Sequence, residues 1–125
     1  MFNIPEVKLA IVAVSRDCFP ITLSQRRRRA VVAECVKLGL NVAEIETTIE
    51  NEKDAMQALC EVRDSGANAL MVYLGNFGPE GPETLLAEKF GGPVMFAAAA
   101  EEDIPVLSSE RGDAFCGMLN ASSNL

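Results

Sequence analysis

Histidine is missing from all 125 residues. That one absence removes a Ser-His-Asp triad, a Cys-His nucleophile and any zinc site built on imidazole. Paired cysteines are missing too: Cys18, Cys35, Cys60 and Cys116 are widely spaced, with no CxxC. They read as four reduced thiols of a cytoplasmic protein, with Cys35 and Cys60 packed in the core. No apolar run approaches the ~20 residues of a membrane span. Met1 to Val7 has no basic start ahead of an apolar stretch, so it does not read as a signal peptide. Positive charge is scarce. Eleven Lys and Arg against 18 Asp and Glu leave a net charge of −7, a field that repels nucleic acid.

What remains is an ordinary globular composition, 49% hydrophobic and 23% charged, of a length that makes residues 1–125 one domain. Lys8 to Val14 is a β-branched and apolar run, the pattern of a strand covered on both faces. Ser15 to Leu23 reads as a loop because Pro20 disfavours helical geometry in its predecessor. Ser24 is expected to cap a helix running to about Leu38, with Gly39 as its stop and Val32, Cys35 and Val36 on its inner face. Asn41 to Ile45 reads as a second strand. Asn51 caps a second helix, with Ala55, Leu59 and Val62 as its buried stripe and Gly66 at its end. Asn68 to Leu74 is a third strand, followed by a loop from Gly75 to Gly81. Pro82 suits the first position of a third helix that turns Leu86 and Phe90 inward. Pro93 to Ala98 is a fourth strand, and a last helix starts near Asp113.

This β-α alternation predicts an α/β fold: a three-layer doubly wound (Rossmann/flavodoxin-like) parallel sheet of strand order 2-1-3-4. Ala121 to Leu125 stops without a polar tail, in a pattern that still looks helical. The chain is therefore expected to be a piece of a longer enzyme.

Open parallel sheets bind ligands beyond the carboxyl ends of their strands, where the strand order reverses. In order 2-1-3-4 that point lies between strands one and three, so the loops 15–23 and 75–81 should meet there. Arg16, Asp17, Asn76 and Phe77 are the candidate binding residues. Arg16 can donate twice to vicinal oxygens, Asp17 accepts, Asn76 does both, and Phe77 can cover the C–H face of a sugar. The competing reading pairs Arg16 with Asp17 and leaves Phe77 as filler beneath its loop. Known binders of this architecture fail on their residues. The third strand ends at Leu74-Gly75, without a phospho-acceptor carboxylate. Arg16-Asp17-Cys18-Phe19 is the wrong chemistry for a flavin phosphate, and the glycines at 75, 78 and 81 fit neither nucleotide fingerprint.

Arg26 to Arg29 place four cations against the helix dipole. They read as a solvated face within reach of Glu34 or Glu50, or alternatively as an anion site or subunit contact. Glu101, Glu102 and Asp103 read as a solvated turn rather than a metal site. Arg111, Asp113 and Cys116 open the last helix, with Asp113 as its cap or facing a ligand.

Four strings carry a resemblance: SRDCFP after the first strand, LGNFGPEGPETLLAEKF after the third, PVMFAAAAEE on the fourth, and RGDAFCGMLNAS. Together they resemble the amino-terminal domain of the L-fucose/L-arabinose isomerase family, over most of the chain from Val7 onward. The resemblance implies a sugar substrate and an aldose–ketose isomerisation through a metal-held enediol, commonly with manganese. It implies that two carboxylates and a histidine of later domains hold that metal. This chain would then carry no catalytic residue, no metal ligand and no cofactor of its own. It would supply substrate recognition and contacts to the remaining domains, in a cytoplasmic homo-oligomer, trimer or hexamer, without membrane or nucleic-acid partners. Arg16 matches the family's substrate-contacting arginine. Asn76 and Phe77 stand in the loop of its aromatic contact, with different residue types. The alternative is a stand-alone sugar or small-ligand sensor, with a half like that of periplasmic binding proteins.

Overall fold

The computed structural model describes residues 3–102 and 111–125. Strands and helices alternate as β1 (Leu9–Val14), α1 (Ile21–Lys37), β2 (Val42–Ile49), α2 (Glu52–Asp64), β3 (Ala69–Leu74), α3 (Glu80–Phe90), β4 (Val94–Ala98) and α4 (Ala114–Ser123). The sheet has the order β2-β1-β3-β4, and every pairing is parallel. This is the doubly wound α/β architecture expected from the pattern.

Period-two alternation along each strand builds two cores. Ala10, Val12 and Val14 of β1 face one way with Leu70, Val72 and Leu74, against Ala55, Leu59 and Val62 of α2, Leu86 of α3 and Ala114 of α4. Ile11 and Tyr73 face the other way, against Val31, Val32 and Cys35 of α1. Five consecutive residues of β1, Ala10 to Val14, are fully buried, as a central strand with helices on both faces must be. The α1 side is the thinner layer, and Met95 of β4 on that side remains 50% exposed.

Several boundaries differ from the sequence reading. Helix α1 begins at Ile21 with Pro20 as its extended N-cap, so Ser24 lies inside it. A proline restricts the residue before it but is itself compatible with a helix start, and that freedom moved the boundary. Ser24 is buried and donates from Oγ to the Val14 carbonyl at 2.6 Å, tying α1 to the end of β1. The inner face of α1 uses Val31 with Val32 and Cys35, whereas Val36 is exposed. Strand β2 continues to Ile49 through the β-branched Thr47-Thr48-Ile49, with a bulge in which Val12 alone faces three residues, Ile45 to Thr47. Cys60 is exposed, and Cys35 only half-buried. Asn51 does cap α2, its side chain accepting from the Asp54 N–H. Helix α3 starts at Glu80, which places Pro82 third rather than first, still within the turn whose N–H groups need no helical partner.

Helix α4 crosses the loop after β3 at very close range. A Cβ at Gly117 would lie 1.8 Å from the Phe77 carbonyl oxygen. Gly117→Ala should therefore push helix and loop apart and cost about 1–3 kcal/mol, the usual penalty of overpacking. Gly81→Ala, with nothing within 4 Å of the new methyl, should be neutral or slightly stabilising. Urea denaturation of both variants checks the contrast. Equal midpoints would mean that α4 is free to tilt away.

Candidate functional site at the strand rim

Parallel register brings Val14 beside Leu74, so the chain leaves both strands side by side at one rim. The segments at Arg16 and Asn76 meet there, as the strand order required. A side-chain amide joins them. Asn76 Oδ1 accepts from the Arg16 N–H and the Gly78 N–H, both at 3.2 Å, while Nδ2 donates to Ser15 Oγ at 2.8 Å and to the Pro20 carbonyl at 3.3 Å. Asn76 is 0% exposed. Its polar atoms are thus occupied within the protein, and its part in the site is to fix the two loops rather than to meet a ligand directly.

Arg16, Asp17 and Phe77 stand differently. Arg16 and Asp17 are exposed, and Phe77 is half-buried. The Arg16 guanidinium carbon lies 5.1 Å from the centroid of the Phe77 ring, a cation–π contact. Phe19 stacks on Phe77 as well, with centroids 5.9 Å apart and planes within 6°. Arg16 makes no ion pair with Asp17 or with any other described carboxylate. Its N–H donors are consequently not spent on any described acid, and stacking restricts the side chain without occupying those donors. Phe19 escaped the sequence reading, although its position three residues beyond Arg16 in a tight loop was a usable signal.

Only half of the arginine run is a solvated face. Arg27 is 5% exposed and Arg28 6%. Arg27 Nη1 donates to the Gly75 carbonyl at 2.7 Å, and the same guanidinium reaches Glu101 and Glu102 at 3.4 Å. Arg28 pairs with Glu44 at 2.9 Å and donates to the Glu46 carbonyl. Arg26 meets Glu102 at 3.2 Å on the surface. The partners are Glu44, Glu101 and Glu102, instead of Glu34 or Glu50. The Arg26 hydrogen bond, first among the causes, holds the Glu102 carboxyl below the usual carboxylate range. Glu101 also accepts from the Gly112 and Asp113 N–H groups at 3.0 and 2.8 Å, which anchors the start of α4. Glu101 therefore connects α1 to α4 and Glu102 is held on α1, rather than forming a free turn; Asp103 lies outside the described residues.

Asp113 is the N-cap residue of α4 but makes no side-chain cap bond, and it has a left-handed backbone (φ 51°). Its carboxylate instead meets the exposed thiol of Cys116 and pushes that thiol up.

Beneath the rim lies a residue that sequence reading did not single out as chemistry. Glu83 is 0% exposed, and neither carboxyl oxygen has a hydrogen-bond partner among the described residues. A glutamate in the first turn of a helix reads as a dipole-complementing surface residue, and nothing in its spacing signals burial. Among the described residues, no group of three His, Cys, Asp or Glu side chains is placed to share a metal ion.

Two comparisons with known proteins return nothing: no curated protein and no solved structure matches the chain. A family model does. The model described as fucose/sulfoquinovose isomerase, N-terminal domain, matches residues 10–125.

The Asn76 network carries a direct test. Asn76→Ala leaves the buried Ser15 hydroxyl and Gly78 N–H, with the part-buried Arg16 N–H and Pro20 carbonyl, without their partner, at a cost of about 1–3 kcal/mol for each buried group left unsatisfied. Chemical denaturation should show a clear loss of stability. An unchanged midpoint would remove Asn76 from its positioning role.

Proposed function

Because the chain belongs to the family of fucose/sulfoquinovose isomerase N-terminal domains, we propose that it recognises the sugar for a metal-dependent aldose–ketose isomerase. The family match over residues 10–125 carries this reading, and the rim chemistry is consistent with it. Arg16 presents N–H donors that no described acid occupies to neighbouring sugar oxygens, and Asp17 offers an acceptor for a hydroxyl proton. Phe77 supplies an apolar surface beside them. Its ring is engaged by Arg16 and Phe19, so it acts first as the platform that orients the guanidinium. Asn76 holds both loops in register.

On this reading the chain contributes binding energy and the reacting groups lie elsewhere, in the remaining domains of the same cytoplasmic enzyme. The metal, expected to be manganese, would be held there, and this domain would take part in assembling a homo-oligomer, trimer or hexamer. The family match favours this reading over a stand-alone sensor.

Two results test it. The chain alone, mixed with aldoses and manganese, should give no turnover, and measurable isomerisation would overturn the division of labour. In the complete enzyme, Arg16→Ala should raise KM about tenfold or more, as expected for losing a charge-assisted hydrogen bond, while metal content stays constant. An unchanged KM would take Arg16 out of the site.

A further inference from the structure

We infer that Glu83 is a positioning residue for the rim loop, seating residues 75–79 while it is a neutral carboxylic acid and unseating them when its proton leaves. The inference concerns the loop itself and holds whatever ligand the rim takes.

The carboxyl lies directly against the loop. Gly78 lies so near that a Cβ there would come 2.5 Å from Glu83 Oε2 and 2.6 Å from Val14 Cγ2. Gly78 has a φ of +71°, a conformation that a side-chain-bearing residue rarely adopts. The loop backbone therefore rests directly on the acid, with β1 beside it. The neighbouring residue of the loop, Phe77, lies with its backbone against α4 at Gly117. Two glycines thus let the loop approach both a carboxyl group and a helix closely.

A neutral acid tolerates such a site far better than an anion, because burying an unpaired charge is much the costlier of the two. Among the described residues no hydrogen-bond donor or cation meets the anion. Glu80, on the same helix, is the charged group that acts on it, and it repels. Val14 of β1 and Gly78 of the loop are uncharged. The residues that α2 and α4 bury, Ala55, Ala58, Leu59 and Val62 with Ala114, Gly117 and Ala121, carry no charge either. Burial first, and Glu80 second, push the Glu83 carboxyl up to about 8.

The sign follows from that direction. Below the ordinary value of 4.5 the acid is neutral in both the folded and the unfolded chain, and its seating is fully retained. Between 4.5 and about 8 the unfolded chain gives up its proton more readily, so stability falls as pH rises. Through about 8 the folded carboxyl ionises, and the anion must reach water. Gly78 stands in the way, so the loop carrying Asn76 and Phe77 moves.

Nuclear magnetic resonance of the chain from pH 4 to 10 tests this directly. The Glu83 side-chain carboxyl carbon and the Phe77 and Gly78 amides should titrate together with a midpoint near 8. In Glu83→Gln, which keeps the shape and removes the proton, the two amides should show no transition there. A Glu83 midpoint between 4 and 5 would overturn the proposal. So would amides that stay still while Glu83 titrates, or amides that shift identically in the glutamine variant. Should that variant fail to fold, the wild-type carboxyl and amide curves decide the matter by themselves.

Discussion

The carboxamide of Asn76 lies where two parallel strands end side by side, and a parallel pair cannot close its ends with a tight turn. The chain must leave β1 and β3 through separate loops, and the backbone groups at those exits have no ladder partners. Asparagine suits the gap because it combines two donors with an acceptor bearing two lone pairs. One side chain thereby satisfies the Arg16 and Gly78 N–H groups, the Pro20 carbonyl and the Ser15 hydroxyl. An aspartate there would lack the donors and would bring a buried charge. The placement of Arg16, the ring it stacks on and the path into α1 all depend on this amide.

A second set of contacts reinforces the same loop from the helical side. Arg27 enters the protein from α1 and ends on the Gly75 carbonyl, one residue from Asn76. Its charge is balanced by Glu101 and Glu102, and Glu101 in turn anchors the first N–H groups of α4. Removing the two acids would leave the buried Arg27 charge without compensation, which is costlier than never having buried it. Arg27 is thus internal wiring between two helices and a loop, Arg28 ties α1 to β2, and Arg26 and Arg29 remain at the surface.

The strand order and the meeting of the two loops were legible because they follow from hydrophobic period and crossover rules, which act over whole segments. Lys8 to Val14 was unmistakable, since only a central strand affords five buried residues in a row. Illegible features were those decided by single contacts at a distance. Whether Arg27 faces solvent depends on where Glu101 lies, 74 residues away. Whether Asn76 meets a ligand or the backbone depends on the exact approach of β1. Glu83 looked like a dipole partner at a helix start, and its burial is set by Gly78 and Val14 closing over it. The start of α1 was misplaced because Pro20 permits both a loop and a helix boundary, and tertiary contact through Ser24 resolved the ambiguity.

The bulge in β2 has a consequence for the chain in crowded solution. β2 is one of the two outermost strands, and an outermost strand offers unpaired N–H and C=O groups to any extended neighbour. By setting three residues of β2 against one of β1, the bulge bends that row out of the even spacing a foreign strand would need. Glu46, exposed along the same stretch, adds like-charge repulsion between identical chains. The irregularity that shortened the sequence reading of β2 thus acts as a guard against runaway sheet growth on that flank.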